Sequence, residues 1–372
     1  MRRLARDLSL SAVVAGFVAV LVGFTSSVVI VFAAAQALGA TPAQTTSWIW
    51  ALGLGMGISS IGLSLWSRKP VLTAWSTPGA ALIAGTSGVA MGEAVGAFVA
   101  CGLLIALAGV LARFGLDAVG AVKTAPWMVC AMTAVFLVGR RAWPRYAVPG
   151  VLLVGIGIAA AQGRMDTSAI VWGLARPLWT TPQFSLGALV GVALPLFVVT
   201  MASQNLPGVA AQRAAGYDTP VSPAITATGA AGVLLAPFGG YAFNLAAITA
   251  AICMGREAHE DPARRYVASV AAGVFYIALG LVGGAVVGLL DAFPRELVLA
   301  VAGLALLGTI AGGLAVALKD EAHRDAAGLT FVVTLSGITL GGIGAAFWGV
   351  LAGSVALMVQ HYRSRPPPQR QR

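Results

Sequence analysis

The sequence predicts an all-α polytopic membrane protein in two repeating halves, each interrupted by a discontinuous helix. Three observations predict it. Of the 372 residues, 58% are hydrophobic and 10% charged, with a mean hydropathy of +0.88; a soluble domain carries roughly 25% charged residues. Apolar runs of about 20 residues, each able to cross ~30 Å of hydrocarbon, recur along the whole chain. Two stretches in matching places of the halves read as extended segments that become short apolar helices in mid-span, the sequence signature of a transporter binding site. No segment between the runs is long enough for a separate soluble domain.

The basic Met1–Arg6 start precedes an apolar run over Leu8–Ala35. That run is too long for a signal-peptide core, so it is read as a first span with a cytoplasmic N-terminus. Gly23–Ser27 places small polar residues in mid-span, where Thr25 and its neighbours either face a cavity or bond back to their own helix carbonyls. A second span, Thr46–Trp66, ends at the basic turn Ser67–Lys69.

The stretch from Lys69 to Ile83 organises the rest. Val71–Trp75 is extended in character, with Thr73 and Trp75 in it. Ser76-Thr77-Pro78 is a helix start: a hydroxyl caps free N–H groups, and proline sits where its missing donor costs nothing. At ~3.3 Å per extended residue, Ser76 lies roughly 20 Å beyond Lys69, near mid-bilayer. A helix N-terminus at that depth is tolerated only against protein or a cavity, and its positive end suits an anion.

Glu93 opens the following helix, to Leu111. A carboxylate there suits the helix dipole, and it is also a candidate proton carrier. Further spans are read over Ala125–Val138 and Tyr146–Ala161. Counting crossings from the N-terminus puts Arg140, Arg141 and Arg145 outside, whereas counting back from the C-terminus puts them inside, so the first half is one crossing short between Glu93 and Lys123.

Residues 162–183 form an outer-face loop with interfacial Trp172 and Trp179. The second half begins with a span over Phe184–Met201 that continues through Ser203-Gln-Asn-Leu-Pro-Gly208 to Arg213. Gln204 then lies about 13 Å above Arg213. Pro207 frees the Ser203 carbonyl. Gln204 and Asn205 at that depth demand a polar partner, a substrate or a neighbouring helix. After Pro223–Pro237, the stretch Phe238–Ile252 repeats the earlier layout: extended aromatics (Tyr241, Phe243), a capping residue (Asn244), then a short apolar helix. By parity it arrives from the opposite face, so the electropositive ends of the two short helices meet.

His259 lies in the charged loop Gly255–Arg265 and is read as solvated. Closing spans follow at Tyr266–Leu290, Glu296–Leu318, Ala326–Leu340 and Gly342–Gln360, before a basic, proline-rich tail read as disordered and cytoplasmic. The domain reading is therefore a first membrane repeat over 1–161, the connecting loop over 162–183, a second membrane repeat over 184–360 and the tail over 361–372.

Several classes are excluded. The formal charge of +10 sits in short loops and the tail, which suits inner-leaflet loops and not nucleic-acid binding. Cys101, Cys130 and Cys253 lie in apolar runs without metal spacing and read as buried thiols. There is no intramembrane histidine cluster, acidic dyad or nucleophile elbow, so neither an enzyme nor a metal or cofactor site is expected.

Three blocks resemble the benzoate:proton symporter (BenE) family: Lys69-Pro-Val-Leu-Thr-Ala-Trp-Ser-Thr-Pro-Gly-Ala-Ala-Leu, Met201-Ala-Ser-Gln-Asn-Leu-Pro-Gly-Val-Ala, and Ala236-Pro-Phe-Gly-Gly-Tyr-Ala-Phe-Asn-Leu-Ala-Ala-Ile-Thr-Ala-Ala-Ile-Cys. Glu257-Ala-His-Glu-Asp-Pro-Ala-Arg-Arg-Tyr266 and Phe347-Trp-Gly add to it. The resemblance implies a fold similar to uracil and sulfate carriers: two inverted repeats of about seven segments, forming a core and a gate domain. It implies substrate between the break points Trp75–Ser76 and Phe243–Asn244. Gln204 falls where nucleobase relatives carry a glutamate, so proton coupling is not expected there. The family's fifth segment is absent or fused near Leu111–Leu116, which leaves the gate one helix short.

The function implied is uptake of an aromatic carboxylate with protons across a bacterial inner membrane by alternating access. Both termini are cytoplasmic, and a homodimer is expected by analogy. The carboxylate is held by N–H groups at Ser76–Gly79 and Asn244–Ala246 with Thr25, Thr73, Thr77, Gln204 and Asn205. The ring stacks on Trp75, Tyr241 or Phe243. The proton travels through Glu93 or with the neutral acid. The alternatives are a carrier of the same fold for another small anion or a nucleobase, and an anion channel.

Overall fold

Strong local signals start the helices of the first half. In this computed structural model, residues 2–86, 88–111, 174–291, 318, 323–336 and 345–363 are described. A short helix α1 (Arg2–Asp7) leads into α2 (Leu10–Ala37), whose N-cap Ser9 accepts from the Ala12 amide. Helix α3 (Pro42–Ser67) begins with a reciprocal Thr41–Gln44 capping box and Pro42 in its first turn. It ends where Arg68 adopts a left-handed conformation, φ 56°, which turns the chain into strand β1 (Thr73–Trp75). Helix α4 (Thr77–Ala84) follows, and α5 (Met91–Leu111) closes the described part of this half.

The second half opens with one long helix, α6, over Leu186–Ala214. It contains two widened turns, Leu189–Ala193 and Met201–Asn205, each followed by Leu-Pro. Proline at 195 or 207 cannot donate to the carbonyl four residues back, and its ring crowds that carbonyl. The turn before it relaxes to i→i−5 bonding, seen as Leu194 N to Leu189 O and Leu206 N to Met201 O. Helix α7 (Val221–Leu235) leads through a tight turn at Ala236–Phe238 and Gly239, φ 91°, into strand β2 (Phe243–Leu245). Helices α8 (Ile248–Met254), α9 (Tyr266–Leu281), α10 (Gly283–Asp291), α11 (Arg324–Leu335) and α12 (Ala345–Arg363) complete the described residues.

Strands β1 and β2 pair antiparallel at the centre, with Thr73 opposite Leu245, Ala74 opposite Asn244 and Trp75 opposite Phe243. Around this ribbon the most extensive helix contacts are α3 with α9 and α5 with α7. Both rest on glycine. A Cβ at Gly53 would stand 2.6 Å from the Tyr276 carbonyl, and one at Gly102 would stand 2.7 Å from the Val233 amide. Exchanging the halves turns one contact into the other, the relation that a two-fold between repeats produces. Small residues allow this approach in a membrane, where dispersion and not hydrophobicity draws helices together.

Two networks tie the ends of the bundle. At the Lys69 end, Lys69 Nζ donates to the Asp218 carbonyl, Gln212 donates to the Pro70 carbonyl at 2.8 Å, and Tyr217 donates to the Pro262 carbonyl at 3.0 Å. At the opposite end, the extended segment Leu174–Ser185 bonds successively to the Leu281, Ser47, Pro237 and Gly92 positions. Its Trp179 ring meets Phe238 edge-on at 5.4 Å.

Three expectations change. The span read as Tyr266–Leu290 is interrupted at Val282, because the Gly283-Gly284 pair weakens helix continuity there. Asn244 does not cap a helix: it lies inside β2, and α8 begins at Ile248 with no side-chain cap. The short helices do not meet end to end; the strands before them cross instead. The stretches read as spans over Ala125–Val138, Tyr146–Ala161 and Glu296–Leu318, and the short fifth segment near Leu111–Leu116 beyond residue 111, lie outside the described residues.

Candidate substrate site at the strand crossing

The crossing exists because each strand presents backbone groups that lipid cannot satisfy. Ser76 N donates to the Ala242 carbonyl and Ala246 N to the Leu72 carbonyl, both at 2.9 Å. With these as hydrogen-bonded pairs, the alternation of an antiparallel ladder makes Ala74–Asn244 another. The remaining amides of the ribbon turn outward. Thr73 N donates to Ser60 Oγ at 3.0 Å and Leu245 N to Asn205 Oδ1 at 2.9 Å.

This pairing corrects the expectation of free N–H groups along Ser76–Gly79 and Asn244–Ala246. The strands pair the Ser76, Asn244 and Ala246 donors between themselves, Asn205 Oδ1 takes the Leu245 donor, and Gly79 N is taken by Ser76 Oγ at 3.1 Å. What stays available beside α4 is the Thr77 amide and the Ser76 hydroxyl proton. Ser76, fully buried, accepts from both Gly79 N and Thr200 Oγ1, the latter at 2.9 Å, and no described residue accepts from it.

The other predicted site residues divide. Thr73 is buried in a hydroxyl cluster, 2.7 Å from Ser59 Oγ, 2.9 Å from Ser60 Oγ and 3.0 Å from the Met56 carbonyl. Its polar capacity is spent on fixing β1 to α3. The Trp75 indole donates to Ser27 Oγ at 2.9 Å, and its ring meets Phe24 edge-on at 5.4 Å. Phe243 is buried where Gly55 leaves room for its ring. Tyr241 packs between Trp48 and Phe98, with ring centroids 5.8 and 6.0 Å away, and its hydroxyl has no partner. Asn244 is fully buried; its Nδ2 reaches the Ala242 carbonyl only at 3.5 Å and its Oδ1 is unpartnered. Gln204, in the widened turn of α6, is half-buried with no hydrogen bond to a described residue.

Two predicted residues stand apart. Thr25 bonds back to the Leu21 carbonyl at 2.6 Å, the second of the two options read for it. Glu93 lies at the start of α5 and accepts from the Ala90 amide at 3.2 Å. Reading the sequence missed Thr200 and Ser27, which reach Ser76 and Trp75. Ser27 lay within the polar patch that named Thr25. Thr200 carried no signal beyond being a hydroxyl in an apolar run.

Two broken helices from opposite ends, crossing in mid-bundle on uncharged polar groups, define a membrane transporter of the discontinuous-helix class. Comparison with known proteins agrees. The solved structure of SLC26A9 superposes with a TM-score of 0.58 at 13% identity, covering 95% of this chain and 66% of that one, so the chain spans about two-thirds of its length. Murine solute carrier 26 family member A9, an anion transporter in the inward-facing state, gives a TM-score of 0.52 at 13% identity, covering 95% and 69%. The family profile described as benzoate membrane transport protein (BenE) matches residues 6–112 and 106–359. The inner membrane protein YdcO of Escherichia coli K12 is 47% identical over 369 residues, 93% of this chain and 94% of that protein. The benzoate membrane transport protein of Acinetobacter baylyi is 37% identical over 383 residues, 96% and 97%. The chain belongs to the benzoate membrane transport protein family. It is a multi-pass membrane transport protein and not an enzyme.

Proposed function

We propose that the protein imports benzoate, or a close aromatic carboxylate, with protons across the inner membrane by alternating access. The observation that carries this is the buried Ser76 hydroxyl, supported by Thr200 and standing at the N-terminus of α4 beside the free Thr77 amide. Such a group can donate to a carboxylate without a buried cation. No Lys, Arg, Asp or Glu occurs in β1, α4, β2 or α8. Dipoles therefore hold the anion, and a weakly held anion leaves readily. The apolar surroundings of Trp75 and Phe243 suit a ring. Gln204 and Asn244 have spare polar capacity in the same layer.

The family description and the name of the Acinetobacter relative support the substrate class. Proton coupling rests on the chemistry of a weak acid: the neutral form carries its own proton, and Glu93 is the alternative carrier. The basic Lys69 end faces the cytoplasm with both termini, in keeping with the positive-inside tendency. The fold shared with an anion transporter favours, as second reading, another small anion.

The test is uptake of labelled benzoate into proteoliposomes with and without an imposed pH gradient. Saturable uptake, raised by an acidic exterior and competed by unlabelled benzoate, is expected. Competition by inorganic anions or nucleobases but not benzoate overturns the substrate. Currents far above carrier turnover overturn the carrier.

A further inference from the structure

Helix α6 touches both halves of the crossing at once. Thr200 Oγ1 donates to Ser76, the last residue before α4, while Asn205 Oδ1 accepts from Leu245 N in β2, each at 2.9 Å. One contact holds the first half's break and the other holds the second half's. A regular α-helix cannot make both. At 3.6 residues per turn, positions five apart lie about 140° away from each other around the axis. Thr200 would then share its face with residue 204, and Asn205 would point elsewhere.

The widened turn Met201–Asn205 removes the conflict, since i→i−5 closure brings residues five apart onto one face. That turn ends at Leu206-Pro207. We propose that Pro207 is a positioning residue: by denying residue 203 its α-helical partner, it maintains the wide turn that lets Thr200 and Asn205 clamp the two strands together. Two further observations agree. Asn205 is fully buried, and its Nδ2 has only the Met201 sulfur, 3.2 Å away, so its strong contact is the one to Leu245. A Cβ at Gly208, in the next turn, would stand 2.7 Å from Leu245 Cβ, so the α6 backbone itself lies against β2.

Asn205 on this geometry serves the strand backbone and not the substrate. Any effect on benzoate uptake rests on the function proposed above; the clamp does not. The decisive measurement is therefore hydrogen exchange at the Leu245 amide in the full-length protein without substrate. Pro207→Ala and Asn205→Ala should each raise that exchange about tenfold or more, as expected for loss of one buried hydrogen bond. The double variant should be no worse than the singles, because both break the same contact.

The reverse experiment is sharper. In the Pro207→Ala background, exchanging the two amides (Gln204→Asn with Asn205→Gln) puts the asparagine on the Thr200 face of a regular helix. Protection of Leu245 should return, and with it benzoate affinity. Undiminished protection in Pro207→Ala overturns the proposal, as does failure of the exchange to restore it. If Pro207→Ala does not insert, Asn205→Ala still tests the contact in an intact helix, and unchanged Leu245 exchange there overturns it equally. Absence of benzoate uptake by the wild-type protein, with the exchange pattern as expected, defeats the substrate reading alone.

Discussion

Thr200 donates its hydroxyl to Ser76 Oγ at 2.9 Å, so the residue that caps α4 is itself held by the opposite repeat. Ser76→Ala removes a helix cap worth about 1 kcal/mol and the hydroxyl proposed above to donate to the carboxylate. The expected outcome is a raised KM for benzoate uptake with a modest loss of thermal stability. Thr200→Val, which removes only the supporting bond, should cost about 1 kcal/mol and raise KM less. Uptake kinetics in proteoliposomes check both, and an unchanged KM in Ser76→Ala would remove this group from the site.

Glu93 provides a direct test of coupling. Its carboxylate accepts from the Ala90 amide, as a helix-starting residue does. Glu93→Gln keeps an acceptor in place and should leave the pH-gradient dependence of uptake intact. Glu93→Ala should lower the melting temperature slightly, since it removes the acceptor at the start of α5. If Glu93→Gln abolishes the response to the gradient while uptake persists, the carboxylate is the proton carrier.

Gly239 makes the turn into β2 with φ 91°, and a Cβ there would overlap the Trp48 indole. Both strain and overpacking follow from Gly239→Ala, each of order 1–3 kcal/mol. Thermal unfolding in detergent should show a drop of several degrees. Gly39→Ala, also at positive φ but with nothing within 4 Å, should show only the smaller strain effect, and equal losses at the two sites would contradict the packing argument.

Arg265, largely buried, donates to the carbonyls of His259, Met254 and Glu260 at 2.7, 2.9 and 3.1 Å. It thereby closes the C-terminal end of α8, where a cation is favoured. Arg265→Ala should lower stability by about 3 kcal/mol, since hydrogen bonds from a charged donor contribute roughly 1.5–3 kcal/mol each and do not add fully. Arg265→Lys should fall between, because a point ammonium lacks the fork. Nearby, burial pushes the Tyr217 phenol above its ordinary range, with Arg265 pulling the other way. A raised value means that its bond to the Pro262 carbonyl is present below the ordinary tyrosine value of about 10 and is lost only above it. Melting temperature between pH 6 and 9 should therefore be the same in Tyr217→Phe as in wild type, apart from a constant offset.

Much of the architecture was legible in advance. The Thr41–Gln44 and Ser76–Pro78 signals are local chemistry, and local chemistry starts helices where it is written. The two broken segments announced themselves because a polar cap in mid-span has no other use. Asn244 misled for the same reason. It resembles a cap, but its backbone is paired with Ala74, a strand partner 170 residues away. The role of Pro207 was half visible: the missing donor was evident, but not that the turn widens and re-aims Asn205. The turn before Pro195 was not read from the sequence.

Composition, hydropathy and capping residues by themselves determined that this chain lives in a membrane, where helices such as α3 and α4 start, and that two of its spans are broken. These are consequences of solvent and of covalent geometry within a few residues. Only the tertiary structure decided what the breaks do with their polar groups. Each exposed donor has several acceptors within reach of a mobile chain, and it is the packing of α3 on α9 and α5 on α7 that brings one of them to 2.9 Å. The candidate site is therefore a property of the crossing, in which Ser76 answers to Thr200 and Leu245 to Asn205.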